Sequence, residues 1–179
     1  MAGERVIRVN VGGGDYTDHE GDLWRADKAW GPGSWGCANL PETDVLTTAD
    51  PIALTDDPTL FRSMRTGERI VYRFELPNRT YRVGFLFAET YWESSDAERQ
   101  DVIVGGKRVL SDFNIFDEAG HDAALEKAFE VKVTRGALEI RFEATSLPMH
   151  NGARVCAIAV SPAGNAARPK GKRRQTWRK

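Results

Sequence analysis

The chain predicts an all-β fold, an antiparallel β-sandwich, and three observations carry that prediction. Apolar and polar residues alternate in short runs, most strictly in 69–76 (RIVYRFEL), where Ile70, Tyr72, Phe74 and Leu76 share one face. Seven or more such runs follow one another at spacings too tight for intervening helices, which excludes a βαβ architecture. Only 121–128 (HDAALEKA) has local helical propensity, and it is barely two turns long.

The elements follow in order. Residues 5–11 (RVIRVNV) are β-branched and end in Gly12-Gly13-Gly14, an opening strand that runs into a turn. After 69–76 and the turn Pro77-Asn78-Arg79, the stretch 80–88 (TYRVGFLFA) places Tyr81, Val83, Phe85 and Phe87 on one side. It is expected to pair antiparallel with the strand before it. Runs 101–104 (DVIV) and 107–110 (KRVL) flank Gly105-Gly106, a two-residue loop suited to a primed hairpin turn. Runs 129–134 (FEVKVT) and 137–143 (ALEIRFE), either side of Arg135-Gly136, turn Phe129, Val131, Val133, Leu138, Ile140 and Phe142 inward, and 154–160 (RVCAIAV) is the last strand. Segment 12–68, rich in Gly, Asp, Pro and Trp, lacks periodicity and is expected to hold functional loops broken by irregular strands.

Composition sets the outer limits. With 179 residues, 41% apolar and 28% charged, the chain is the size of one ordinary globular domain. No apolar run approaches the roughly 18–20 residues of a membrane span. The opening MAGERVIRVNVGGG has neither the cationic nor the apolar region of a secretory signal. The net charge of -1 conceals an asymmetry: residues 168–179 carry seven basic groups and no acid, leaving 18 basic against 26 acidic groups in 1–167. The organisation expected is a sandwich domain over 1–163 and a basic tail or linker over 164–179. An acidic body of this kind is not a nucleic-acid-binding domain, because phosphate recognition needs cations arrayed on a folded face. Cys37 and Cys156 are expected to be buried or reduced thiols.

Catalytic constellations find no support. The only serine between glycines, in Gly33-Ser34-Trp35-Gly36, lacks the spacing of a nucleophile elbow. His19, His121 and His150 are scattered without zinc-type spacing, and Asp15 follows the glycines where a phosphate would have to sit. Glycoside hydrolysis would need two facing carboxyls, such as Glu89 or Asp112 with Asp117, but a chain with 26 acids offers many such pairs. Asp15, Asp18, Glu20, Asp22 and Asp27 crowd one segment. The expectation for them is turn chemistry and capping, with calcium as the alternative and no other cofactor. The informative feature is aromatic: Trp24, Trp30 and Trp35 fall among loops, and Tyr91-Trp92 end a strand where the chain turns polar. Ring faces stack on the C–H faces of sugars while polar neighbours bond the hydroxyls.

Five segments in order, RVNVGGGDYTDHEGDLWRAD, YRFELPNRTYRVGFLFAETYW, DVIVGGKRVLSDFNIFDEAGH, AFEVKVTRGALEIRFEA and NGARVCAIAV, resemble the malectin family and span about residues 5–161. The resemblance implies a jelly-roll-like sandwich of malectin type, without catalytic activity, that binds an oligo- or polysaccharide in a loop-lined cleft using aromatic side chains and an acidic residue. The family's paired aromatics fall on Tyr91 and Trp92 in Ala88-Glu89-Thr90-Tyr91-Trp92, and its aromatic before a glycine falls on Trp35. Its acid before the last strand falls near His150-Asn151, where no carboxylate stands, and a further family tyrosine falls at 64–66, where no aromatic stands. The ligand set so implied is Trp35, Tyr91 and Trp92, with Glu89, Asn151 and Asp15 orienting hydroxyls. The opening looks like the bacterial domains appended to family 2 glycoside hydrolases. That implies an extracellular or periplasmic place and a catalytic glycoside hydrolase domain as partner. The rival reading is a structural or interaction sandwich that docks onto a catalytic domain and binds no sugar. Exposure of Trp35 and Trp92 separates the two.

Overall fold

The computed structural model describes residues 6–146 and 152–164. The basic tail beyond 164, His150 and Asn151 lie outside the described residues. The strands in chain order are β1 (Ile7–Asn10), β2 (Tyr16–Thr17), β3 (Leu23–Ala26), β4 (Trp35–Cys37), β5 (Asp44–Thr47), β6 (Ser63–Gly67), β7 (Arg69–Glu75), β8 (Thr80–Phe87), β9 (Gln100–Val104), β10 (Lys107–Phe113), β11 (Leu125–Lys132), β12 (Ala137–Ala144), β13 (Ala153–Val155) and β14 (Ala157–Pro162). One short helix, α1 (Ile115–Ala119), is capped by the Asn114 side chain, which accepts from the Asp117 N–H.

Two sheets face each other. The first runs β11-β8-β14-β1-β3-β2 and the second β10-β9-β12-β7-β4, with a third sheet, β13-β6-β5, across one end. The all-β sandwich read from the sequence is the architecture found. Ile70, Tyr72, Phe74, Val83, Phe85, Phe87, Ile140 and Phe142 are fully buried between the sheets, and each such large side chain contributes roughly 1.5–3 kcal/mol of burial energy. Phe85 meets Phe142 edge-on across the core, with ring centroids 5.2 Å apart. The Gly105-Gly106 hairpin forms as expected, with φ of 58° and 83°.

Three expectations are corrected. β7 and β8 do not pair: β7 lies between β12 and β4, and β8 between β11 and β14. Both strands bury a full apolar face, and two such faces are covered by packing against each other across the core. Side by side in one sheet they would still need another layer. Pro77–Arg79 is therefore a corner between sheets, closed by the Tyr81 hydroxyl donating to the Pro77 carbonyl at 2.9 Å. The stretch 121–128 is not helical. Its second half opens β11, whose eight residues from Leu125 to Lys132 register against Phe87 to Thr80, so sheet pairing overrides local propensity. Finally, 154–160 is not one strand. The chain breaks at Cys156 between β13, paired with β6, and β14, paired with β8 and β1.

Both thiols are buried and free, and burial pushes that of Cys156 up to about 12, so it stays protonated. The irregular 12–68 region is held down by buried carboxylates. Asp57 accepts from the His19 N–H, the His19 Nδ1 at 2.6 Å and the Tyr16 hydroxyl. That contact with Asp57 raises the pKa of His19, outweighing a small opposing effect of burial. The stabilisation is fully present below the free-histidine value of about 6.5 and is lost as pH rises through the folded value. The melting temperature is thus expected to fall slightly from pH 6 to pH 8.5, and the slope to flatten in His19→Ala. An equal slope in both proteins would reject the contact as its source.

Candidate functional site

Among the described residues, the aromatics Trp35, Tyr91 and Trp92 stand at two separate places. β8 delivers its last residues to a loop in which Tyr91 is 65% exposed and Trp92 half-buried, their rings meeting edge-on at 4.9 Å. Trp35 sits near the other end of the sandwich: it pairs with Phe74, next to the corner where β7 passes to β8. The two levels are on the order of 20 Å apart along the strands. The expected ligand aromatics Trp35, Tyr91 and Trp92 therefore fall at two separate places.

The Tyr91–Trp92 loop stands on a buried ionic core. Arg154, 1% exposed, points its guanidinium between Glu89, 2% exposed, and Glu98, 7% exposed. Its Nη1 donates to Glu89 Oε1 at 2.9 Å and its Nε to Glu98 Oε2 at 2.6 Å. Glu89 Oε1 also accepts the backbone N–H groups of both Tyr91 and Trp92, while Glu98 Oε1 accepts the Trp92 indole N–H at 3.1 Å. The backbone and the ring of Trp92 thus hang from two carboxylates that one arginine clamps. Burial pushes the Glu98 pKa up, opposed by Arg154 and reinforced by Glu89. Burial would lower that of Arg154, but Glu98 and Glu89 outweigh it and hold the guanidinium charged. Glu89 is therefore committed to the loop, and its expected part in orienting a ligand hydroxyl is corrected to holding Tyr91 and Trp92 in place. Arg154 and Glu98 escaped the sequence reading, although a lone arginine in the apolar run RVCAIAV was the legible sign.

His121 and Asp122 complete this end. His121 Nδ1 lies 2.9 Å from the Trp92 carbonyl, and Asp122 donates its N–H to the Glu89 carbonyl. Asp112 and Asp117 are drawn together by Arg99, at 3.4 and 3.2 Å, so they are a salt-bridged surface pair and not an acid–base dyad across a cleft.

Trp35 and Asp15 line a groove of about 490 Å³ between the sheet edges, with Arg8, Arg25 and Lys28. The Trp35 ring stacks near Phe74 on one side, and the Lys28 ammonium lies 4.6 Å from its centroid. A sugar would have to displace that ammonium. Asp15 caps the Ala26 N–H at 2.7 Å and sits 3.7 Å from Arg25. Two further carboxylates of this segment, Asp18 and Asp27, are held by protein donors. Asp18 accepts from the Glu20 and Asp22 N–H groups and from the buried Trp24 indole, and Asp27 accepts from Arg65, Tyr72 and the Gly12 N–H.

Comparison with known proteins agrees with the sandwich. The malectin domain model matches residues 5–155. The chain belongs to the malectin domain family. Malectin of Danio rerio is 28% identical over 147 residues, which cover 80% of this chain and 50% of that protein, so this malectin domain spans about half of the relative's length. The crystal structure of Bacteroides uniformis beta-glucuronidase superposes with a TM-score of 0.77 at 25% identity, over 88% of this chain and 18% of that one. The ANXUR2 extracellular domain of Arabidopsis thaliana shares the fold, with a TM-score of 0.71 at 14% identity over 87% of this chain and 48% of that one. The malectin domain is a non-catalytic, carbohydrate-binding, lectin-like fold. Among the described residues no helix is long and apolar enough to cross a membrane.

Proposed function

We propose that this domain binds an oligo- or polysaccharide non-covalently through the Tyr91–Trp92 loop, as an accessory module of a glycoside hydrolase working outside the cytoplasm. The observation that carries the reading is a tyrosine left 65% exposed on a loop whose backbone is fixed by buried charges. A rigid, exposed ring is what sugar stacking requires, since ordering a mobile ring on binding would consume part of the gain. The accessory role rests on the beta-glucuronidase, in which the similar region is 18% of an enzyme chain. Asn151, at the position of the family's acid, remains a proposed hydroxyl partner. Trp35 and Asp15 are proposed for a separate groove, which is also the surface that best suits the rival reading of docking onto a catalytic domain.

The test is intrinsic tryptophan fluorescence titrated with malto-, nigero-, galacto-, xylo- and pectic oligosaccharides. A saturable change for one class is expected, with a Kd of roughly micromolar to millimolar because hydroxyls only exchange water bonds for protein ones. Tyr91→Ala should weaken binding about twofold to tenfold, equivalent to the 0.5–1.5 kcal/mol that an aromatic contact contributes, while Trp35→Ala leaves it unchanged. Loss in Trp35→Ala with retention in Tyr91→Ala would move the site to the edge groove. Silence across the panel would favour the docking module.

A further inference from the structure

We propose that Leu54 and Asp122 join Tyr91 in one saccharide site, and that this site selects neutral sugars over uronic ones; the proposal rests on the reading that the Tyr91–Trp92 loop binds sugar. Asp122 ties two loops together. Its N–H goes to the Glu89 carbonyl at 2.8 Å, and its carbonyl accepts the Ala53 N–H at 2.8 Å, while the Ala124 N–H returns to the Ala53 carbonyl at 2.9 Å. Glu89 bridges to His121 and Ala53 to Ala123, so Leu54 and Tyr91 leave the same knot one and two residues further along their loops.

Folding gives leucine no reason to be at position 54. It is 75% exposed, and its φ of 64° lies in the left-handed region that branched side chains avoid. Asp122, φ 52°, is a second left-handed residue in the same knot. Strain of this kind persists where surrounding structure enforces it, and it gathers at ligand clamps. Among the described residues, two of the four large apolar side chains that stand exposed, Leu54 and Tyr91, rise here, with the polar His121–Asp122 pair beside them. Apolar surface on either side of hydrogen-bonding groups matches the two-faced character of a sugar ring. Asp122 Oδ1 is buried, while Oδ2 lies 3.4 Å from His121 Nε2 on a side chain that is a quarter exposed, so the part of the carboxylate that reaches the surface is the one that can accept a hydroxyl.

Charge sets the class. Glu93 and Asp96 stand exposed in the same loop, Glu89 and Glu98 share one arginine, and Arg99 is spent on Asp112 and Asp117. A surplus of carboxylates repels a uronate and accepts hydroxyl protons from a neutral ring.

The test pairs neutral and uronic oligosaccharides of equal length, titrated at low and high salt against the native domain, Asp122→Asn and Leu54→Asn. Asparagine tolerates a left-handed backbone better than leucine, so both variants should keep or raise the melting temperature. Preference for the neutral sugar that narrows as salt rises is expected, with a loss of roughly fivefold to tenfold in each variant. Equal or better binding of the uronic sugar, or variants that bind like the native domain while Tyr91→Ala does not, would overturn the inference and leave the sugar reading standing. Absence of binding by any saccharide would instead remove the reading on which it rests.

Discussion

Arg154→Met is expected to lower stability by about 3–5 kcal/mol, because it leaves Glu89 and Glu98 buried without their cation. For a domain of this size that is a drop on the order of 10 °C in melting temperature. The pH dependence identifies the cause. Burial already raises the Glu98 pKa, and without Arg154 it shifts further up. A raised carboxyl favours the folded state below its unfolded value of about 4.3 and costs stability as pH climbs through the folded value. The deficit of the variant should therefore shrink from pH 7.5 to pH 5. Converting both acids to glutamine in the same background should restore most of it, since an uncharged replacement of a buried triad is often close to neutral. Amide exchange of Tyr91 and Trp92 should quicken, as their N–H groups lose a charged acceptor. A melting temperature within about 2 °C of the native domain, or a deficit indifferent to pH, would mean that the clamp carries little energy.

That prediction also marks where the sequence was readable. Alternation in 69–76 and 80–88 reports which face of each strand is buried, because period two is a property of the strand itself. It does not report which strand lies alongside, and so β7 and β8 were paired when they belong to opposite sheets. The helical tendency of Ala123, Ala124, Leu125, Glu126 and Lys127 is real but small, a few tenths of a kcal/mol per residue. Eight rungs with β8 outweigh it. At the candidate site, Tyr91 and Trp92 stood out in the sequence because two adjacent aromatics end a strand just before a polar stretch. Trp35 was equally aromatic but belongs to another level of the sandwich, and only register could separate them. Glu89 illustrates the remaining gap: a carboxylate beside two aromatics suggests a ligand contact until its oxygen is found bonded to the two backbone amides that follow it. Leu54, Asp122 and Arg154 came into view through backbone angle, exposure and burial, and none of these is a property of residue type.

Asp27→Ala should be the second severe loss, again about 3–5 kcal/mol, and it decides what the acidic opening segment is for. Asp27 Oδ2 binds Arg65 at 2.6 and 2.8 Å and the Gly12 N–H at 2.9 Å, while its Oδ1 takes the Tyr72 hydroxyl at 2.8 Å. Arg65 is 6% and Tyr72 0% exposed, so the substitution strands a buried guanidinium and a buried hydroxyl at once. The charge of Asp27 also raises the pKa of Tyr72, after burial, and helps to keep Arg65 protonated against it. These contacts join the turn after β1, the end of β3, β6 and β7, so their loss should be felt as one cooperative unfolding event and not as local fraying. If the segment served calcium, the melting temperature of the native domain would rise with calcium and fall with chelator, and Asp27→Ala would abolish that difference. If it serves packing, native and variant melting temperatures should each be the same in calcium and in chelator, with the full gap between them retained. The second pattern is expected, because each oxygen of Asp27 already accepts from a fixed protein donor. A metal would have to displace Arg65 to reach it.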